Sequence, residues 1–220
     1  MKHEIRYQPA FAAIFVTLSP GETIIAEAGA MASMDGNLSM KTQFSGGLIP
    51  ALIKKFFGGE SLFVNVFKNT TSQPLTLVLT QSVIGDIEKL ELRGNEMYLQ
   101  PGAYIASTPQ VKLGVGWAGF ASWFAGEGLF KLKVRGNGQV FFGAYGGLIK
   151  HRVSGEFIVD NSHLVAYSPK IKMSIGLSGN LINSITSGEG FINRLKGDGV
   201  IYLQSRSISG LVKFLRPKVR

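Results

Sequence analysis

The stretch 126–146 most constrains the fold, because apolar and polar residues alternate on both sides of a glycine-rich break. Gly126-Glu127-Gly128 opens it, a largely alternating run continues to Val134, and Gly136-Asn137-Gly138 interrupts the run before Val140. A period of two places alternate side chains on one face of a strand, and Gly and Asn tolerate the positive φ angles of tight turns. The sequence therefore predicts a β-hairpin.

The same pattern occurs twice more, which predicts an internal repeat. Residues 188–203 again contain a Gly-Glu-Gly opening and a break, Gly197-Asp198-Gly199, and a shorter copy begins at Gly59-Glu60. The three Gly-Glu pairs stand 67 and 62 residues apart. Self-similarity of this kind indicates a repeated structural unit. We expect one domain over residues 1–220, made of approximate units 1–70, 71–135 and 136–220.

Composition favours an all-β chain. Apolar residues make up 45% of the sequence, charged residues only 17%, and there are 28 glycines and 15 phenylalanines, which suits short strands and tight turns. We expect β-sandwich or barrel units with one or two short helical or loop insertions. There are no cysteines, so disulfides, thiolate nucleophiles and cysteine-based metal sites are excluded. We expect neither a targeting segment nor a membrane span, and hence a cytoplasmic protein.

Two segments depart from the strand pattern and are candidate contact surfaces. Residues 46–59 have apolar side chains at helical spacing and predict a short amphipathic helix, which either covers the open end of its own sheet or contacts a subunit or a membrane. Residues 114–125 are uncharged and aromatic, and either fill the core or form a contact as a loop or helical turn. The candidate contact residues are Leu48, Ile49, Leu52, Ile53, Phe56, Phe57, Trp117, Phe120, Trp123 and Phe124.

The formal net charge of +9 is concentrated near the C-terminus. Residues 151–220 carry ten bases against four acids. The basic tail either is a solvated terminus or attracts the phosphates of anionic lipid or nucleic acid. The candidate contact residues there are Lys213, Phe214, Arg216, Lys218 and Arg220.

Histidines and acids are the groups that chemistry would need. His3, His151 and His163 are far apart in sequence, and the segment Asp160-Asn161-Ser162-His163 predicts a turn in which Asp160 or Asn161 bonds to its own backbone. Neither a catalytic site, a metal site nor a cofactor is predicted.

Glu60, Glu127 and Glu189 stand at equivalent places in the three units. We expect each to accept backbone N–H bonds in its glycine turn, with a shared cation site as the alternative. Arg206 is the candidate ion-pair partner for one of them.

Phosphate and nucleic-acid sites receive little support. The glycine pairs lack the lysine and the following helix of a phosphate-binding loop. Phe141, Phe142, Tyr145 and Tyr202 are candidates for stacking on RNA bases, but most aromatic residues fall on the inward face of their strands.

Taken together, these motifs resemble the AIM24 family. The resemblance spans about residues 22–215. It is carried by Gly58-Gly59-Glu60-Ser61-Leu62-Phe63, Gly85-Asp86-Ile87, Gly126-Glu127-Gly128-Leu129-Phe130, Val159-Asp160 with His163-Leu164-Val165-Ala166-Tyr167, and Gly197-Asp198-Gly199 with Val200-Ile201-Tyr202-Leu203-Gln204-Ser205-Arg206.

The resemblance implies a duplicated all-β fold similar to the tryptophan RNA-binding attenuation protein, and a homo-oligomer in which a trimer is favoured. It implies no catalytic activity, and links fungal mitochondrial members to inner-membrane organisation. We expect a non-enzymatic oligomeric scaffold or binding protein, peripheral to an anionic membrane. The alternatives are a small-molecule-binding or enzymatic β-barrel and a module that binds single-stranded RNA.

Overall fold

The computed structural model describes residues 1–44, 63–100, 102–117, 130–177, 191–216 and 218. Within these residues there are fifteen strands, one 3₁₀ turn and one α-helix, so the all-β prediction is confirmed. In chain order they are β1 (Lys2–Arg6), β2 (Ala13–Leu18), β3 (Thr23–Glu27), β4 (Met31–Met34), β5 (Ser39–Phe44), β6 (Phe63–Lys68), β7 (Leu75–Leu79), β8 (Ile87–Leu99), β9 (Tyr104–Ser107), β10 (Val111–Trp117), β11 (Phe130–Gly143), β12 (Leu148–Asp160), the 3₁₀ turn (Asn161–His163), β13 (Leu164–Tyr167), β14 (Lys172–Leu177), β15 (Phe191–Gln204) and α1 (Ile208–Leu215).

The strands form two antiparallel sheets. The smaller has the order β1-β2-β7-β4. The larger has eleven strands, of which nine follow the order β12-β15-β13-β8-β11-β9-β3-β6-β5, while β10 and β14 pair with β11 and β15. Neither sheet closes into a barrel within the part of the chain that the structure describes.

One set of strand pairings occurs three times and defines three repeats. The first repeat comprises strands β2 to β7, the second β8 to β11 and the third β12 to β15. In each repeat a short strand (β4, β9 or β13) pairs with the last strand of its own repeat through a one-residue bulge. The bulge leaves Ala32, Ile105 and Val165 unpaired at equivalent positions. The internal repeat is therefore visible in the register of the strands.

The turn after the short strand is also the same in all three repeats. One residue in this turn donates its backbone N–H to a carbonyl of the last strand, and its side chain accepts the N–H of that same residue, at 2.6–3.0 Å. The equivalent pairs are Asp35 with Thr76, Thr108 with Gln139, and Ser168 with Val200. These paired bonds fix the alignment of the repeats residue by residue.

The predicted hairpins at 126–146 and 188–203 are wrong. Gly136-Asn137-Gly138 lies inside the continuous strand β11, where the register shifts by a bulge, and Gly197-Asp198-Gly199 lies inside β15. Gly136 and Gly197 do have positive φ angles, +121° and +137°. However, the chain does not reverse there. It passes next to the turn that recurs in all three repeats, so close that a Cβ on Gly136 would lie 2.6 Å from the Gln110 carbonyl oxygen.

Other local predictions also differ from the structure. Asp35-Gly36-Asn37 forms a turn, but β4 and β5 on its two sides pair with β7 and β6 and not with each other. Gly114–Trp117 belongs to strand β10 rather than to a loop or helical turn. The expected unit boundary at 70/71 falls between β6 and β7 of the first repeat, and the boundary at 135/136 falls within β11.

Each repeat carries its own hydrophobic cluster. The first cluster centres on β2, β3, β6 and β7, the second on β8 and β11, and the third on β12 and β15. The first two clusters also include side chains from the following repeat, so neighbouring repeats share a hydrophobic core.

Candidate interaction surfaces

Most of the residues singled out in the sequence lie outside the described residues. They are Leu48, Ile49, Leu52, Ile53, Phe56, Phe57, Glu60, Phe120, Trp123, Phe124, Glu127, Glu189 and Arg220. Trp117 ends β10, where its backbone pairs with Phe130. The roles expected for these residues stay predictions.

Arg206 follows β15 directly and is exposed. Its backbone N–H donates to the Tyr145 carbonyl at 3.2 Å. Its guanidinium forms no ion pair with any acid among the described residues. It therefore remains a candidate partner for one of the turn acids.

Ile208–Leu215, which include the start of the basic tail, form a helix, α1, that was not predicted from the sequence. Ser207 caps it by accepting the Gly210 N–H at 3.1 Å. Ile208, Leu211, Val212 and Leu215 follow the spacing i, i+3, i+4, i+7 and form one stripe, yet no residue of the helix is buried. A serine cap followed by this spacing is the pattern that would have predicted the helix.

Basic residues accompany the apolar stripe of α1. Lys213 lies on the opposite side of the helix from the stripe, by its position in the sequence. Phe214, next to the stripe, is 61% exposed, and the Lys218 ammonium lies 3.4 Å from the centre of its ring. The helix thus exposes a large apolar area with cations at its margins.

A cleft of about 640 Å³ separates α1 from the body of the protein. Leu211 and Phe214 line its helix side, and His163, Arg206 and Tyr145 lie on the other. His163 donates from Nδ1 to the Gln204 carbonyl at 2.6 Å. The predicted turn before it is confirmed, because Asp160 Oδ1 accepts the Ser162 N–H at 2.8 Å and caps the 3₁₀ turn.

A second cavity, of about 510 Å³, is lined by residues of all three repeats, including Glu27, Gln100 and Gln204. Both polar atoms of the Gln204 amide form hydrogen bonds: the oxygen accepts the Tyr145 N–H, and the nitrogen donates to the Ser162 carbonyl. Gln100 accepts from the buried Lys131 ammonium at 2.5 Å. These polar groups hold the repeats in place.

Short strand pairings join neighbouring repeats. Between the first and second repeats, β3 pairs with β9, with Ala26 opposite Ala106. Between the second and third, β8 pairs with β13, and Tyr98 stacks on Tyr167 with ring centroids 5.3 Å apart. Every residue of β9 and β13 is buried at these junctions.

Tyr104 ties the first junction. Its hydroxyl donates to the Ile25 carbonyl at 3.2 Å and lies 2.9 Å from Ser107 Oγ. Burial raises the pKa of Tyr104, so the phenol stays protonated and keeps its donor. The hydroxyl therefore ties the first repeat to the second at this junction.

The aromatic residues considered for RNA stacking are mostly internal. Phe141, Phe142 and Tyr202 are buried, with Phe142 and Tyr202 edge to face at 5.0 Å, and only Tyr145 is partly exposed. In the described part of the chain, no three His, Asp or Glu side chains come together as a metal site. None of its helices is long and apolar enough to cross a membrane.

A sequence profile of one family, described as "Mitochondrial biogenesis AIM24", matches residues 3–206. The chain belongs to the AIM24 family. It is 28% identical to an uncharacterised protein of Streptococcus pyogenes serotype M6 over 217 residues, which cover 94% of this chain and 87% of that protein.

A solved structure shows the same AIM24 fold. It is the X-ray crystal structure of a second Streptococcus pyogenes protein, with a TM-score of 0.80 over 99% of both chains at 23% sequence identity.

Proposed function

We propose that this AIM24-family protein is a non-enzymatic, self-associating β-scaffold that attaches to anionic membrane surfaces through α1 and the basic residues that follow it. The observation that carries the membrane half is α1 itself. Five of its eight residues are large and apolar, and every one of the five is exposed. Interfacial helices of this type lie in the plane of the bilayer surface with their apolar side among the acyl chains.

Charge supports an anionic surface in particular. Lys213, Arg216 and Lys218 lie on or just after the helix, and no acidic residue occurs from position 206 to the end of the sequence. A basic residue near an anionic bilayer contributes about 1 kcal/mol of binding free energy. Because α1 is short, one copy binds weakly, and several copies on one scaffold would bind together with higher avidity.

The non-enzymatic half is supported by the contacts of three titratable side chains. His163 is bonded to a backbone carbonyl, and Tyr104 bridges two repeats. Lys196 and Arg194 lower the pKa of Glu156 by binding its carboxylate at 3.0 Å. Each group thus has a structural partner.

Vesicle flotation tests the membrane half. We expect the protein to float at low salt with phosphatidylcholine vesicles that contain phosphatidylserine, and not with phosphatidylcholine alone. Phe214→Glu should abolish flotation. Ile84→Glu is the matched control, because Ile84 is equally exposed, at 61%, but lies outside α1.

A variant with Lys213, Arg216 and Lys218 changed to Gln separates the two contributions. It should lose the salt-sensitive part of the binding, because salt screens exposed charges. If the unaltered protein stays at the bottom of the gradient with phosphatidylserine vesicles at low salt, attachment through α1 is wrong.

A further inference from the structure

Within the part of the chain that the structure describes, two strand edges have no partner, although the equivalent edges at the two internal junctions are paired. β4 is the last strand of the smaller sheet, and β12 is the last strand of the larger one. Their counterparts are paired: β9 binds β3 of the first repeat, and β13 binds the end of β8 of the second. The outer edges of β5, β10 and β14, by contrast, are alike in all three repeats within the described residues. Among the described residues, β4 and β12 are thus the strands that lack a pairing found at both internal junctions between repeats.

Side chains at these two edges are more exposed than those of the equivalent paired strands. All four residues of β9 and of β13 are buried, whereas Ala32 and Ser33 of β4 are exposed. On β12, Ile158 is 50% exposed. It occupies the position at which Tyr98 of the second repeat stacks on the next repeat. Unpaired edges with exposed apolar side chains are templates for pairing with another strand.

The third hydrophobic cluster is also incomplete. The first cluster takes Ile105, Ala106 and Phe141 from the second repeat. The second cluster takes Val165, Ala166 and Tyr202 from the third. The third cluster takes no residue from the first repeat among those the structure describes. The residues equivalent to the borrowed ones are Ala32, Ser33 and Val78.

A buried polar side chain also indicates that the core of the third repeat is incomplete. Asn193 is fully buried in the third repeat, and neither atom of its amide has a partner within the described residues. The equivalent position of the second repeat is Leu132. A buried amide without a hydrogen-bond partner destabilises the fold, so the third core is weak when the chain is alone.

The register of the missing pairing follows from the two that exist. Ala26, Leu99 and Val159 are equivalent, because they face equivalent residues of the last strand, Asn65, Leu132 and Asn193. Ser33, Ala106 and Ala166 are equivalent, because each lies two residues before the turn residue Asp35, Thr108 or Ser168. At the internal junctions, Ala26 faces Ala106 and Leu99 faces Ala166.

We propose that the open edge of β12 in one chain pairs with β4 of the next chain, antiparallel, with Val159 opposite Ser33 and Ile158 opposite Met34. This inference rests on the self-association in the proposed function and adds its surfaces and register. Because two different edges meet, the interface is head-to-tail and repeats from chain to chain. A ring results when the rotation closes, and the expected trimer is such a ring.

Light scattering after size exclusion tests the surfaces. The protein should elute as a discrete assembly, several times the 23.8 kDa of one chain. Ser33→Lys and Ile158→Lys should each give a folded monomer, checked by circular dichroism. Ile149→Lys is the matched control, because Ile149 is also on β12 and also 50% exposed but lies away from the proposed pairing.

Mixing the two variants tests the head-to-tail arrangement. Ser33→Lys keeps the β12 edge and Ile158→Lys keeps the β4 edge, so the mixture should form a one-to-one dimer in native mass spectrometry. A mixture that stays monomeric overturns the inference. So does an assembly that neither variant disrupts, although self-association then stands. A monomeric unaltered protein overturns both, whereas a failure of vesicle flotation concerns α1 alone.

Discussion

The first repeat and the two later repeats differ at the point where the chain passes next to the turn that recurs in all three repeats. In the second and third repeats the strand continues, and Gly136 or Gly197 stands where a Cβ would meet a carbonyl oxygen of the turn. In the first repeat the chain leaves β6 of the larger sheet at Asn69 and enters β7 of the smaller sheet at Leu75. Removing the side chain and removing the strand are thus two ways to relieve the same crowding.

The loop between β6 and β7 in the first repeat is held in place by one buried side chain, that of Asn69. Asn69 donates from Nδ2 to the carbonyls of Leu18 and Gln73, at 2.8 and 2.7 Å, and its Oδ1 accepts the N–H and the hydroxyl of Thr71. After this loop the strand returns in the same register as in the other repeats. Strand continuity is therefore not what preserves the repeat. The hydrogen bonds of the turn preserve it.

The largest effect is expected from Gly197→Ala. The new methyl group would overlap the Lys170 carbonyl oxygen, and φ at +137° is already strained for any residue with a Cβ. We expect a loss of about 3 kcal/mol or more in the free energy of unfolding, measured by urea denaturation. Gly136→Ala should behave alike.

Gly155→Ala is the control for Gly197→Ala. Its φ is also positive, at +96°, but a Cβ there has nothing within 4 Å. It should therefore cost only the backbone strain, about 1–2 kcal/mol. If the two variants unfold at the same urea concentration, steric crowding is not the reason for glycine at 197, and the contrast with the first repeat disappears.

The sequence was sufficient to predict the all-β class, because the alternation of apolar and polar residues is a local property. The sequence pattern led to wrong hairpin predictions at Gly136 and Gly197. Their positive φ angles are real, but the need for them comes from a turn about 26 residues away in sequence, which no local pattern reveals. A glycine-rich break indicates either a reversal or a close approach, and only the fold distinguishes the two.

Surfaces were harder to predict than strands. The open edge of β4 has a sequence like those of β9 and β13, since exposure there depends on which strand lies beside it and not on composition. The helix α1 was within reach of local rules, because Ser207 and the apolar spacing after it are both visible in the sequence. The contact residues predicted in 46–59 and 118–125 lie outside the described residues.

An intermediate effect is expected from Asn69→Ala. The variant would remove four hydrogen bonds at a fully buried position and leave the Leu18 carbonyl without its side-chain donor. We expect a loss of about 2–3 kcal/mol, measured as a lower midpoint in urea. Asn95→Ala is the control, since Asn95 is exposed and accepts a single backbone N–H, from Arg93. Equal losses in both variants would mean that the loop, and not Asn69, sets the path of the chain.

The smallest effect concerns β1, a strand beside the first repeat that has no counterpart in the other two within the described part of the chain. His3 on β1 lies edge to face with Phe141, with centroids 5.0 Å apart. Burial, and then the cation of Lys89, lower the pKa of His3 from its ordinary value of 6.5. The unfolded chain therefore binds this proton at a higher pH than the folded chain does. The free energy of unfolding should fall as the pH drops through about 6.5 toward the lower folded pKa.

His3→Phe isolates this contribution, because it keeps an aromatic ring against Phe141 and removes the titration. Melting temperatures of the variant should change less between neutral and mildly acidic pH than those of the unaltered protein. Lys89→Met should have an intermediate slope, because one cause of the lowered pKa is gone while burial remains. An unchanged slope in His3→Phe would show that β1 covers the first repeat without any cost in protonation.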